Sequence, residues 1–381
     1  MSEVLNKIQM VDLKSQYEKI KPEIDKAIIS VVESSQYING PEVKSFQQEM
    51  ESYLGVKHVI PCANGTDALQ ISMMALGLKP GDEVITPSYT YIATTEVIGL
   101  LRLKPVFVDC ESDTFNISPE AIEKAITPKT KAIVPVHLYG QSCDMDVIMK
   151  IAQKHSLFVI EDNAQAIGCS YTFADGTTAK TGTIGDVGCT SFFPSKNLGC
   201  YGDGGAICTN NDELAHQIRM VANHGQSKRY YHDLVGCNSR LDSIQAAILR
   251  IKLRELDTYI ENRNTAAAFY DEAFADIPDL TVPFRSAQSK HVFHQYTLQL
   301  ADRINRDDLV EYLGKKEIPA MIYYPVPAHK QKMFDHLDVI CTDMSVTDWL
   351  TTRVFSLPMH TELTNQQLKY ITESVKEFIR K

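Results

Sequence analysis

From His58 to Thr209 the chain alternates short, continuously apolar runs with helix-patterned stretches, and that alternation limits the fold more than any other feature. The runs are His58 to Cys62, Glu83 to Thr86, Pro105 to Asp109, Ala132 to Val136, Leu157 to Glu161, Gly188 to Phe193 and Ala206 to Thr209. Helical patterns fall between several of them, at Asp67 to Ala75, Thr94 to Leu101, Pro119 to Ala125 and Val147 to His155. A strand with one wet face alternates polar and apolar residues, whereas a strand covered on both faces does not. Unbroken apolar strands joined by helices therefore predict an α/β fold, a mostly parallel central sheet with helices on both faces. Such sheets bind ligands beyond the carboxyl ends of their strands, so chemistry is expected in the residues that follow each run.

The flanks read differently. Ile20, Ile24, Ala27, Ile28, Val31 and Val32 form one helical stripe, and Asn39-Gly40 turns the chain into a second helix opened by Pro41 and ended by Gly55. Beyond the sheet a long helix is expected from near Leu241 past Ile260 toward Phe274. After it come Val292 to Leu300, Arg306 to Lys315, Ala320 to Tyr323, Arg353 to Ser356 and Asn365 to Ile379, in the order β, α, β, β, α. This predicts a large domain over residues 1–255, including the N-terminal helices, and a smaller C-terminal α+β domain over 256–381.

A net charge of −10 argues against a nucleic-acid partner, which needs a clustered basic face. A small phosphate-bearing molecule stays compatible, because backbone amides bind phosphate without net positive charge. The nine cysteines are scattered from Cys62 to Cys341 with no C-x-x-C pair, which points to reduced thiols and a cytoplasmic setting. Residues 1–18 are mixed and polar, and no stretch approaches the ~20 apolar residues that span a bilayer, so neither a leader nor a membrane segment is expected.

Within the sheet region one stretch holds a lone lysine among apolar, small and hydroxyl residues: Thr190-Ser191-Phe192-Phe193-Pro194-Ser195-Lys196-Asn197-Leu198-Gly199, followed by Tyr201-Gly202-Asp203-Gly204-Gly205. An ammonium without a carboxylate partner in apolar surroundings loses pKa, and its neutral amine can form a Schiff base with an aldehyde such as pyridoxal phosphate. The stretch alone equally describes a solvated loop lysine. Asn64-Gly65-Thr66-Asp67 opens a helix after the first strand run, as an anion site or as plain capping. Glu161-Asp162-Asn163-Ala164-Gln165 ends another run, where Asp162 can pair with a protonated pyridine nitrogen and Gln165 can reach a ring hydroxyl; helix capping is the alternative for both and for Glu161. Tyr91, in Ser88-Tyr89-Thr90-Tyr91, is placed either to stack on a planar ring or simply to pack. The glycines from Gly182 to Gly188 have the wrong spacing for a dinucleotide fingerprint, and the isolated histidines His137 and His155 and the pair His291 and His294 do not form a metal set.

Taken together, Asn64 to Leu69, Glu161-Asp162 with Gln165, Ser191 to Gly205, and Asn238-Ser239-Arg240-Leu241-Asp242-Ser243-Ile244-Gln245-Ala246-Ala247 resemble the DegT/DnrJ/StrS sugar aminotransferases. The similarity runs from Val11-Asp12-Leu13 to Ser356-Leu357-Pro358-Met359-His360. It implies the pyridoxal-phosphate transferase fold type I and a homodimer whose active sites are shared between subunits. Lys196 would carry the cofactor and move the proton. Asp162 would pair with the ring nitrogen, Gln165 would contact the ring oxygen and Tyr91 would stack on the ring. Gly65, Thr66 and Ser191 would hold the phosphate, with Asn238 reaching it from the neighbouring subunit. The implied reaction passes nitrogen from L-glutamate, through the pyridoxamine form, to a ketone on a nucleotide-linked sugar in cell-surface polysaccharide precursor synthesis.

The run from His224 to Asp242, with Tyr324-Pro325-Val326-Pro327 later, looks most like enzymes that aminate C3 of UDP-2-acetamido-2-deoxy-3-oxo-glucuronate. Arg240 suits a carboxylate, of that sugar or of glutamate, and Tyr323 and Tyr324 join it as substrate-binding candidates. Tyr323 stands where those relatives commonly have histidine. The competing readings are a transaminase for a dTDP-3-oxo- or 4-oxo-6-deoxyhexose and a non-catalytic regulatory protein on the same fold.

Overall fold

Capping chemistry sets the outer layer. In the computed structural model, which describes residues 7–380, α1 (Leu13–Ser34) begins where the Asp12 carboxylate accepts the Ser15 amide at 3.0 Å. After a short turn, α2 (Pro41–Leu54) starts on Pro41 and stops at Gly55, whose φ of +68° suits the left-handed cap that glycine adopts without strain. The reading of residues 1–18 extends over 1–6, which lie outside the described residues.

The next stretch runs β1 (His58–Cys62), α3 (Gly65–Ala75), β2 (Glu83–Pro87), α4 (Ala93–Leu100), β3 (Lys104–Val108), α5 (Pro119–Ala125), β4 (Thr130–Ile133), α6 (Met145–His155) and β5 (Phe158–Asp162). A hairpin of β6 (Ser170–Thr172) and β7 (Thr178–Lys180) follows, then β8 (Val187–Ser191), β9 (Gly205–Thr209), α7 (Asp212–Ala222) and a second hairpin, β10 (Gln226–Lys228) with β11 (Tyr231–His232). Next come α8 (Ser243–Arg254), α9 (Leu256–Phe274), β12 (Leu280–Thr281), β13 (Ser289–Lys290), β14 (Tyr296–Leu300) and α10 (Arg306–Lys315). The chain finishes with β15 (Ile340–Cys341), α11 (Ser345–Arg353), β16 (Val354–Leu357) and α12 (Asn365–Ile379).

The large sheet has the order β1-β9-β8-β5-β4-β2-β3-β15. Its neighbours are parallel except at β1–β9 and β8–β9. Both faces are covered, as the continuous apolar runs required. Val84, Ala132, Val134 and Ile160 pack with α3, α4 and α7 on one face, while Ile85, Ile133 and Val159 pack with α5 and α6 on the other. A second core, carried by α9, α10, α12 and the antiparallel sheet β12-β14-β16, lies in the C-terminal part.

Several expectations shift in detail. The long helix is two, α8 and α9, meeting at Glu255. The strand expected from Val292 is paired only over Tyr296–Leu300, because Phe293 takes φ of +44° and the Val292 and His294 amides instead bond the carbonyls of Gly140 and Tyr139. The strand expected at Ala320 to Tyr323 reduces to a single bridge between Met321 and Ser356. Unforeseen, β15 leaves the C-terminal part and pairs parallel with β3 at the edge of the large sheet. No helix among the described residues is long and apolar enough to cross a membrane.

Candidate active site

The carboxyl ends of β2, β5 and β8 open toward the N-terminus of α3, and the candidate residues gather there. The turn into α3 is fixed by Asn64, whose side chain accepts the Asp67 amide at 2.8 Å while its carbonyl accepts that of Ala68 at 3.1 Å. The amides of Gly65 and Thr66 precede this ladder and stay open to an anion. A side chain at Gly65 would bring a Cβ within 2.7 Å of the Ser191 Cβ, so only glycine lets these two phosphate candidates close on one cradle.

Lys196 follows β8 in a loop folded tightly on itself. Its ends are joined by the Cys200 amide on the Phe192 carbonyl at 2.8 Å and the Phe192 amide on the Gly204 carbonyl at 2.7 Å. A Cβ on Gly199 would sit 2.3 Å from the Pro194 carbonyl oxygen, so the crossing also requires glycine. The half-buried Lys196 amine makes no hydrogen bond or ion pair among the described residues. Burial lowers it to about 8, against the opposing pull of Asp162.

Asp162 ends β5, buried, and its carboxylate is held from both sides. Oδ2 accepts the Thr94 hydroxyl at 2.8 Å and Oδ1 accepts the Ala164 amide at 3.1 Å. Burial raises its pKa, while these bonds and the Lys196 charge oppose the rise. Glu161, read as a cap, does something else. Its fully buried carboxylate accepts the amides of Gly182 at 2.8 Å and of Ile184 and Gly185 at 2.7 Å. It also accepts Nε2 of His137 at 2.8 Å; Nδ1 of that ring accepts the Cys143 amide, which leaves the ring proton on Nε2. Glu161 thus anchors the strand end that carries Asp162.

Gln165 is oriented by its neighbours: Oε1 accepts the Tyr139 amide at 2.9 Å, so Nε2 faces the other way and donates to the Tyr324 hydroxyl at 3.0 Å. One proton of that amide remains for a ring oxygen. Tyr91 is exposed, with its ring 6.1 Å from that of Tyr324. Tyr323 and Tyr324 come from the C-terminal part. The Tyr323 carbonyl accepts the hydroxyls of Tyr89, at 2.5 Å, and Tyr139, and the Ala328 amide bonds the Ser88 carbonyl at 2.9 Å.

The side chains of Asn238 and Arg240 make no hydrogen bond or ion pair with this cluster among the described residues. Asn238 is exposed and bridges Asn223 through its backbone, while the Ser239 hydroxyl accepts the Ala63 amide at 3.0 Å. Arg240 is half-buried, with no hydrogen bond or ion pair among the described residues. Thr94 and Tyr139, not singled out in the sequence as site residues, complete the site together with His294, considered there only as a metal ligand; its imidazole is buried and pushed well below its usual range by burial, Lys196 and Arg263. A cavity of about 560 Å³ beside Phe284 and Arg285 is lined by none of these groups.

The site thus holds a buried carboxylate at one strand end, a lysine of lowered pKa after the next and an open helix N-terminus beside them, and residues 18–376 match the DegT/DnrJ/EryC1/StrS aminotransferase family. The chain belongs to that family. This aminotransferase is 47% identical over 364 residues to the UDP-2-acetamido-2-deoxy-3-oxo-D-glucuronate aminotransferase of Pseudomonas aeruginosa, covering 96% of this chain and 98% of the relative. It is 44% identical over 375 residues to a pleiotropic regulatory protein of Geobacillus stearothermophilus, covering 98% and 99%. Among solved structures it is similar to ntda from Bacillus subtilis with bound cofactor PMP, at a TM-score of 0.90 and 29% identity, covering 100% of this chain and 87% of that one.

Proposed function

We propose that this aminotransferase uses pyridoxal phosphate to move an amino group from L-glutamate to C3 of UDP-2-acetamido-2-deoxy-3-oxo-glucuronate, in cell-surface polysaccharide precursor synthesis. The observation that carries the reading is Lys196: an amine lowered to about 8, free of carboxylate bonds, facing the held carboxylate of Asp162. The glycine-dependent cradle of Gly65, Thr66 and Ser191 fits a phosphate, and the remaining Gln165 proton fits a ring oxygen. The 47% identity to the P. aeruginosa enzyme supports the choice of sugar.

When bound, the cofactor supplies an aldehyde that takes up the nitrogen and a protonated pyridine that draws electron density from the reacting carbon. Lys196 would hold it covalently at rest, and during turnover its Nζ would carry a proton from the substrate carbon to the cofactor's aldehyde carbon in the first half-reaction and in the reverse direction in the second. Asp162, kept in place by Thr94 and the Ala164 amide, holds the pyridine nitrogen protonated. Tyr91 covers the ring, and Tyr323 and Tyr324 line the sugar side. Arg240, whose guanidinium has no partner among the described residues, binds the carboxylate of glutamate, of the sugar or of both in turn. We assign the cofactor to residues 1–255 and the smaller cover to 256–381, and place the enzyme in the cytoplasm as a homodimer in which Asn238 of one copy completes the phosphate site of the other.

The test is incubation with glutamate and a panel of oxo-sugar nucleotides, with the position of the new nitrogen read by mass and resonance. Amination at C3 of the UDP-glucuronate ketone is expected. Activity confined to dTDP-6-deoxyhexoses would replace the sugar assignment, and the tyrosine at 323 is the feature that favours that second reading. A protein that binds the cofactor yet aminates nothing would match the regulatory name of the G. stearothermophilus relative.

A further inference from the structure

Lys252 is a buried cation with no part in the mechanism above. It lies inside α8, 1% exposed, and no carboxylate pairs with it among the described residues. Its ammonium donates to the Gly199 carbonyl at 2.5 Å and sits 5.2 Å from the centre of the Tyr201 ring. Gly199 and Tyr201 belong to the loop that presents Lys196. Seven residues earlier on the same face of α8, the Gln245 amide pairs with the backbone of Tyr201, accepting its N–H at 2.9 Å and donating to its carbonyl at 3.4 Å. A third tether comes from the other side, where Asn197 Nδ2 donates to the Val292 carbonyl at 2.9 Å.

We infer that Lys252 is a positioning residue for the amino-transfer site: an ammonium clamp, carried by α8, that fixes the Gly199 end of the loop and so the place of the Lys196 amine. The inference rests on the proposed role of Lys196. A buried lysine without a carboxylate is a costly way to pack a helix, since an apolar side chain of similar length would fill the space without a desolvated charge. What an apolar side chain cannot do is bond a carbonyl, and a charged donor makes the stronger bond. The groups that act on the clamp are the Cys200 thiol and the Tyr201 ring from the loop and the Arg263 guanidinium from α9. Burial lowers the Lys252 ammonium to about 8, so its charge is present at neutral pH and lost in mild alkali.

The experiment compares the full-length wild type with K252M and K252Q. Reduction with borohydride and peptide mapping first locates the trapped cofactor. Then the melting temperature, hydrogen exchange across residues 192–204 and the dissociation constant for pyridoxal phosphate added to the apo protein are measured. K252M is expected to melt no lower than wild type, to exchange faster in this loop, and to bind cofactor about tenfold more weakly, the scale of one charge-assisted hydrogen bond. K252Q, which keeps a neutral donor, should fall between them. A K252M protein with wild-type exchange and affinity overturns the clamp. So does one that melts far lower, which would make Lys252 a general support of the fold. If wild type traps no cofactor at Lys196, the parent reading fails instead, and the exchange measurement still decides whether Lys252 holds the loop.

Discussion

A single charge decides how Lys196 reacts. An exposed lysine near 10.5 is neutral in roughly one molecule in three thousand at pH 7, whereas at about 8 the fraction is about one in ten. The rate at which apo protein captures pyridoxal phosphate, followed by absorbance, is therefore expected to rise with pH and level off above about 8. Asp162 raises the lysine, so D162N should move that rise to lower pH while weakening retention of the cofactor. Thr94 is the complementary probe. T94V leaves Oδ2 of Asp162 without its hydroxyl partner, and a loss of roughly 1–3 kcal/mol in holding the ionised carboxylate should appear as weaker cofactor binding, with T94S restoring it. Asp162 and Lys196 were visible in the sequence because each stands out chemically where a strand run ends. Thr94 was not, because a threonine inside an apolar helical pattern gives no local sign that its hydroxyl meets a residue 68 positions away.

Elements whose ends are fixed locally were legible, and those fixed from a distance were not. The spans Arg306–Lys315 and Asn365–Ile379 match the helices observed, because Asn305 and Thr364 cap them from the adjacent position. By contrast α11 was missed: its opening amides, Val346 and Thr347, bond the Asp109 carboxylate at 2.8 Å across 237 and 238 residues. D109A should destabilise the protein by about 1–3 kcal/mol in urea unfolding, since it strips a buried cap shared by two parts of the chain. On α8, Lys252 gives the opposite sign. Its native value lies below the ordinary one near 10.5, so the unfolded chain binds more protons between about pH 8 and 10.5, and the wild type gains stability as pH rises through that window. K252M removes this gain, and its advantage in melting temperature should be largest at neutral pH and shrink by pH 10.

For the molecule as a whole, the α/β architecture followed from two-sided burial of the strands, while the return of the C-terminal part onto the large sheet did not. That return brings Tyr323 and Tyr324 against Tyr89, Tyr139 and Gln165, through contacts that no period or motif encodes. The proposed sharing of sites has a quantitative test at this scale. If Lys196 and Asn238 act across subunits, re-assorting equal amounts of inactive K196A and N238D chains should recover about a quarter of the wild-type sites, as random pairing in a twofold dimer requires. No recovery in demonstrably mixed dimers would place both residues in one chain's site.

The pairing of β15 with β3 carries a last consequence. Ile340 and Cys341 are the residues that lie along the outer edge of β3, at Val106 and Phe107. A chain cut by a protease or a stop codon before residue 340 would bare a row of amides and carbonyls flanked by large apolar side chains, the kind of edge on which further strands assemble. Shortened forms of this protein should therefore turn cloudy and sediment at concentrations where the full chain stays clear.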